Sequence, residues 1–301
     1  HLGKAKRIAD ASGRYVEFCK NSVPKGFSLR GMKIALDCAH GATYQVAPQV
    51  FAALGADVVA IAADPDGFNI NKHYGSTHPE RLQQRVIEEA ADIGIAFDGD
   101  GDRLVMVDAK GELLDGDQLL YVITQNRLSR DVMSGGVVGT VMSNLGLEQA
   151  LKDLAVPFLR AQVGDRHIME ALHQRHWTLG GEPSGHILTL DLCSTGDAIV
   201  AGLQVLLAMQ DADVSLRDLA AGLTKAPQVL VNVVVDSPAE VSRHPQMLKI
   251  TANHEQGLGD RGRILVRPSG TEPLLRIMVE GEDESEVTRI ADELAAHAKS
   301  I

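Results

Sequence analysis

The chain has 301 residues, more than one domain of ordinary size holds, so two or three domains with cores of their own are expected. A hydrophobic fraction of 45% with 23% charged residues is that of a folded globular protein and excludes extensive disorder. The formal charge of −11 excludes nucleic acid and anionic membrane as partners over most of the surface, so a phosphate-bearing ligand must meet locally concentrated positive charge.

Cys19, Cys38 and Cys193 are the three cysteines, without a CxxC pair, which argues against a disulfide framework or a thiolate metal site and fits a reducing cytoplasm. The longest apolar runs, such as residues 199–209, are too short for the ~20 residues of a membrane helix, and no signal-peptide pattern opens the chain. It begins at His1, without an initiator Met, inside what already reads as a helix, so a fragment of a longer protein is expected.

In chain order, residues 32–37 and 57–62 read as strands separated by a helix over 45–54, and a helix over 79–90 leads to a strand over 92–97. Residues 104–108 and 112–114 form an expected hairpin around Lys110-Gly111, followed by a helix over 118–128. A second block places strands at 136–141, 158–163 and 187–190 and helices at 147–154, 167–175 and 198–209. Beyond Pro227 the order becomes strand (228–235), helix (245–254), strand (262–266), strand (274–280) and a last helix with Asp283 and Glu286 spaced as a capping box. The fold expected is α/β: two consecutive mixed or parallel α/β sheet domains, residues 1–112 and 113–224, then a small α+β domain, residues 225–301.

The segment Asp98-Gly99-Asp100-Gly101-Asp102-Arg103 follows the apolar run Ile93-Gly94-Ile95-Ala96-Phe97, at the carboxyl end of a strand, where α/β sheets bind ligands. In an extended loop the three aspartates fall on one side, and all-oxygen ligation suits a hard cation, Mg²⁺ above Ca²⁺. An EF-hand is excluded by Arg103 at its sixth position and Ala109 at its twelfth. The plainer alternative is a solvated Asp-Gly turn.

Asp115 and Asp197 read as helix caps. Gly164-Asp165-Arg166-His167 fits either an anion at a helix N-terminus or a cap by Asp165. In Gly180-Gly181-Glu182-Pro183-Ser184-Gly185-His186, the carboxylate and hydroxyl of Glu182 and Ser184 suit adjacent sugar hydroxyls, whereas His186 by itself reads as a strand-start residue bonded to backbone. Arg267-Pro268-Ser269-Gly270-Thr271-Glu272-Pro273, with Arg276 in the next strand, is a phosphate cradle or a stiff polar hairpin turn.

Taken in order, AFDGDGDR, VGDRH, GGEPSGH and RPSGTEP closely resemble the loops of the α-D-phosphohexomutase superfamily, and GRYVEFCK, DCAHGATYQVAP, FNINKHYGSTH, GTVMSNLGLE and RIMVEGED extend the likeness to nearly the whole chain. The branch most resembled is the bacterial one acting on glucosamine phosphates, with VGDRH in place of a lysine-containing loop as the local sign; branches acting on mannose or glucose phosphates share the loops. The resemblance implies a Mg²⁺-dependent intramolecular phosphotransferase that interconverts glucosamine 6-phosphate and glucosamine 1-phosphate through a bisphosphorylated intermediate, a step toward UDP-N-acetylglucosamine and the cell wall.

It further implies that Asp98, Asp100 and Asp102 hold Mg²⁺ with Arg103 assisting, and that Glu182 and Ser184, with His186 close by, recognise the sugar. Arg267, Ser269, Gly270 and Thr271, with Arg276, would bind the non-reacting phosphate of a phosphorylated hexosamine. The superfamily's phosphorylated serine lies in an N-terminal domain in a Ser-His-Asn context that these residues lack, and Ser76-Thr77-His78 belongs to a different segment. No catalytic nucleophile is therefore expected here, and the chain alone should catalyse little. Two rivals are a haloacid-dehalogenase-like phosphatase with Asp98 as nucleophile and a non-catalytic phosphosugar-binding module.

Overall fold

Short β-branched runs bounded by turn residues give a first sheet of five strands. In the computed structural model, which describes residues 3, 8–269 and 272–301, these are β1 (Lys33–Asp37), β2 (Asp57–Ile61), β3 (Ile93–Phe97), β4 (Leu104–Asp108) and β5 (Leu113–Leu114), in the order β2-β1-β3-β4-β5. β1 pairs in parallel with β2 and β3, and the crossovers carry helices α2 (Val46–Ala53) and α3 (Glu80–Glu88). β4 and β5 return antiparallel. Every residue of β3 and β4 is buried, and Leu82 and Val86 of α3 cover one face together with Ala35, Ala96 and Val107.

A second sheet repeats the plan with β6 (Val137–Thr140), β7 (Phe158–Ala161), β8 (Leu179–Gly181) and β9 (Ile187–Thr189), in the order β7-β6-β8-β9. β7, β6 and β8 are parallel and β9 runs back against β8. Helix α6 (Asp165–Arg175) supplies Ile168 and Leu172 to its core. β8 escapes the sequence pattern because two of its three residues are glycine, which has no strand preference; its partners on both sides hold it extended.

Between the sheets lie α4 (Gly116–Ser129) and α7 (Ala198–Ala212), packed on each other, with α4 against β4 and β8 and α7 against β4 and β9. A helix facing two apolar layers must be apolar all round, and α7 is buried from Ala198 to Met209. Because the layer is shared, His1–Ser143 and Leu151–Leu223 form one compact unit, so the expected boundary at 112/113 falls inside it. Helix α1 (Ala11–Lys20) is tied in through the Tyr15 hydroxyl, which donates to Asp197 Oδ2 at 2.9 Å. Asp115 and Asp197 cap α4 and α7 as expected. Among the described residues no helix is long and apolar enough to cross a membrane.

The second unit comprises Asn144–Ala150, from the start of helix α5 (Leu145–Asp153), and Thr224–Ile301. Its sheet of β10 (Gln228–Val234), β11 (Gly262–Pro268) and β12 (Leu274–Gly281) is antiparallel in the order β10-β12-β11. Beyond the short α8 (Leu216–Ala220) of the first unit, the helices here are α9 (Pro238–Arg243), α10 (Pro245–Leu258) and α11 (Glu284–Ser300). α9 was not expected from sequence, being six residues long and separated from α10 only by His244. Leu275, Ile277 and Val279 pack against Val287, Ile290 and Leu294 of α11. Asp283 accepts the Glu286 N–H at 2.8 Å, one half of the expected capping box.

Glu280 is fully buried and joins the pieces of this unit: Oε1 accepts from the Leu145 N–H at 2.9 Å and Gln228 Nε2 at 3.1 Å, and Oε2 accepts from Arg263 Nε at 2.6 Å. Glu280→Leu should destabilise the unit by about 3 kcal/mol by stripping a buried N–H and a guanidinium of their acceptor. Calorimetry checks this, and an unchanged unfolding temperature would refute it.

Burial pushes the thiols of Cys19 and Cys38 up to about 12, whereas Cys193 is half-buried. At pH 8 the thiolate of either is a minority of about 10⁻⁴. A disulfide reagent should therefore titrate Cys193 in the native chain and the other two only after unfolding; fast reaction of all three would contradict this packing.

Candidate functional site

The buried strand β3 ends at Phe97, and the chain has six residues, Asp98 to Arg103, in which to turn back into β4. Asp98 builds the turn. Its Oδ1 accepts the backbone N–H groups of Gly101 at 3.2 Å, Asp102 at 3.1 Å and Arg103 at 3.1 Å, and its own N–H donates to Arg103 O at 3.2 Å. Gly101 adopts φ +79, the left-handed region in which a side chain is strained. Oxygens of Asp98, Asp100 and Asp102 thus come within 4.8 Å of one another by curling of the loop, not by the period-two alternation of an extended segment that the sequence suggested.

Three neighbouring carboxylates repel, and the proton balance records it. Burial pushes the Asp98 carboxyl up to about 7, and the neighbouring carboxylates of Asp102 and Asp100 act in the same sense. Asp102 moves the other way: burial opposes its ionisation, but Asp98, His186 and Arg103 outweigh burial and hold it below the usual carboxylate range. Arg103 Nε lies 3.7 Å from Asp102 Oδ1 and 3.9 Å from Asp98 Oδ2, with its side chain half-exposed.

Segments without an obvious motif hold the turn in place. Gly99 O accepts the Ala42 N–H at 2.7 Å, Gly101 O accepts the Ala198 N–H at the start of α7 at 3.0 Å, and Phe97 O accepts the Ser76 N–H at 2.9 Å. Asp37, buried at the end of β1, accepts the Ala39 and Gly75 N–H groups at 2.9 and 2.8 Å and so pins both flanking loops; burial raises its carboxyl's pKa against those bonds. Ala39, His40, Asn71 and His73 in these loops carry positive φ. Sequence reasoning missed this support because it is made by backbone groups; the one available signal was an aspartate at the end of an apolar strand.

The Glu182–His186 loop occupies in the second sheet the place that Asp98–Arg103 occupies in the first, between a parallel strand and its antiparallel return. The two loops touch: the Leu104 N–H donates to Gly185 O at 3.1 Å, Arg103 and His186 form a β-bridge, and His186 Nδ1 lies 3.0 Å from Asp102 Oδ2. His186 is buried, and beyond the backbone pairing expected of it, its ring meets a carboxylate. Glu182 Oε1 accepts the Gly164 N–H at 2.9 Å and Oε2 accepts the exposed Ser184 hydroxyl at 3.2 Å, so the VGDRH segment joins the same neighbourhood. There Gly164, not Asp165, occupies the N-cap of α6; Asp165 is already inside the helix and accepts the Arg166 N–H, while Arg166 Nε turns to Glu170 at 2.9 Å.

In the C-terminal unit Arg267 and Arg276 stand directly opposite in the β11–β12 register. Like charges so placed are unfavourable without an anion between them, and Glu272 reaches only Arg276, at 3.2 Å. The Ser269 N–H closes the turn onto Leu274 O at 2.8 Å; Gly270 and Thr271 lie outside the described residues.

Strand-end carboxylates and a polar loop joined to them define a class: α/β proteins that gather polar loops at the carboxyl ends of parallel strands, where ligands bind. Family models match along the chain: phosphoglucomutase/phosphomannomutase alpha/beta/alpha domain II over residues 13–111, alpha/beta/alpha domain III over residues 115–226 and the C-terminal domain over residues 230–297. The chain belongs to the phosphoglucomutase/phosphomannomutase family. It is 54% identical over 298 residues to the phosphoglucosamine mutase of Photorhabdus laumondii, covering 99% of this chain and 67% of the relative, and 56% identical over 294 residues to that of Halorhodospira halophila, covering 98% and 65%. It thus spans about two thirds of the length of the curated relatives it matches. Among solved structures it resembles a family protein of Burkholderia thailandensis (TM-score 0.79, 25% identity, 96% of this chain and 64% of that one). It also shares the fold of Aspergillus fumigatus N-acetylphosphoglucosamine mutase in complex with GlcNAc-6P and magnesium (TM-score 0.72, 20% identity, 96% and 70%).

Asp100 is exposed and its carboxylate adds charge to the cluster. Asp100→Ala should leave the metal-free fold intact, with an unfolding temperature equal to or up to ~2 °C above that of the parent. A clear fall would mean that the carboxylate holds the turn together.

Proposed function

We propose that the chain is the metal-, sugar- and phosphate-binding part of a phosphoglucosamine mutase, interconverting glucosamine 6-phosphate and glucosamine 1-phosphate through a bisphosphorylated intermediate. The observation that carries this reading is the joining of the two loops by the Leu104–Gly185 backbone bond and the Asp102–His186 contact, because phosphoryl transfer to a sugar needs the cation and the hydroxyl in one place. The identity of 54% to a relative of that name supports the choice of sugar.

Asp98, Asp100 and Asp102 would hold Mg²⁺. They fit it: the donors are all carboxylate oxygens, and Asp102 Oδ1 is buried without a hydrogen-bond partner. When bound, the cation supplies positive charge beside the phosphoryl oxygens. Arg103, half-exposed and held only at 3.7–3.9 Å by its aspartates, would swing to the phosphoryl group. Glu182 and Ser184 would orient the ring hydroxyls, and Arg267, Ser269, Gly270, Thr271 and Arg276 would grip the phosphate that is not reacting. The reacting phosphoserine would come from sequence outside these 301 residues, in which no matching segment occurs.

The test is ³¹P NMR of glucosamine 6-phosphate with the chain, Mg²⁺ and the phosphoserine-bearing N-terminal segment of a relative: glucosamine 1-phosphate should accumulate, and its absence would refute the reading. Arg267→Ala should weaken binding of glucosamine 6-phosphate at least tenfold while leaving free glucosamine unaffected, as measured by calorimetry. Equal loss for both ligands would show that the hairpin is merely structural.

A further inference from the structure

Asp98 and Asp102 are held by different means. Asp98 is oriented by three backbone N–H groups of its own turn. Asp102 receives no backbone donor among the described residues; the hydrogen bond that fixes its carboxylate comes from His186, which opens the strand on the far side of the neighbouring loop. Oδ2 meets the ring nitrogen at 3.0 Å, and Oδ1 is left buried without a hydrogen-bond partner, the nearest cation being Arg103 Nε at 3.7 Å.

The histidine is itself immobilised. Its side chain is 5% exposed, its carbonyl accepts the Glu182 N–H at 3.0 Å, and it pairs with Arg103 through the backbone. Gly196 closes over the ring so tightly that a Cβ there would lie 2.6 Å from Nε2. Nε2 is buried without a partner.

We infer that His186 is a positioning residue for the cation: by donating Nδ1–H to Asp102 Oδ2 it fixes that carboxylate with Oδ1 turned to the metal, so that a residue of the sugar loop sets the affinity of the metal loop. The inference rests on the three aspartates being a cation site. Histidines and carboxylates that support metal ligands in this way typically contribute 10- to 100-fold in affinity.

The probe is Mn²⁺ alone, titrated into the full chain with free ion read by electron paramagnetic resonance. H186L should weaken Mn²⁺ binding about tenfold. H186N, whose amide can donate from nearly the position of Nδ1, should stay within about threefold of the parent. In an Asp102→Ala background H186L should add no further loss, because the interaction it removes is already gone. Parent-like affinity of H186L, equal losses in H186N and H186L, or a further loss in the double variant would each overturn the inference while leaving the cation site standing. If the parent binds no Mn²⁺, the cation site falls and the inference with it.

Discussion

Three carboxylates confined to one six-residue turn is the constraint to which the rest of the first unit answers. Without a cation their repulsion would open the turn, so the turn must be closed by bonds that do not depend on the metal. Asp98 does this from inside by gathering three N–H groups. From outside, the turn is clamped by backbone bonds to Ala42 and Ala198, and Leu104 at its exit is tied to Gly185. The buried strands β3 and β4 and the buried, largely apolar helix α7 make those clamps rigid.

The same logic explains why two sheets share one helical layer. Each sheet turns back from a parallel strand to an antiparallel one, and that reversal carries a polar loop at the carboxyl end of the parallel strand. With α4 and α7 packed between the sheets, the two reversals meet edge to edge, and a backbone bridge between Arg103 and His186 joins them. The Asp98–Arg103 turn on one sheet and the Glu182–His186 loop on the next thereby become one surface built on strands.

Much of this was legible in the sequence. The alternation of apolar strands and amphipathic helices gave the order of most elements, and the aspartate spacing in DGDGDR marked the turn in which three carboxylates converge. What stayed hidden has specific causes. β8 is Leu-Gly-Gly, and only its two partners make it a strand. Asp165 looked like a cap because it precedes an apolar helical run, but the helix starts one residue earlier than a side-chain cap there would require. Local sequence carries no sign that His186 faces Asp102, 84 residues away, since that contact exists only once two sheets share a layer. The role of the loop after β1 was equally silent, being carried by main-chain groups that every residue has.

The hydrogen bond from the Leu104 N–H to Gly185 O ties the root of the aspartate turn to the tip of the Glu182–His186 loop through backbone alone, so no substitution short of proline at 104 deletes it. Order that a ligand imposed on one loop would be passed to the other, and thermodynamic reciprocity would make the gain equal in both directions. Under the proposed function, cation and sugar would be cooperative partners, each binding to a protein that the other has helped to stiffen.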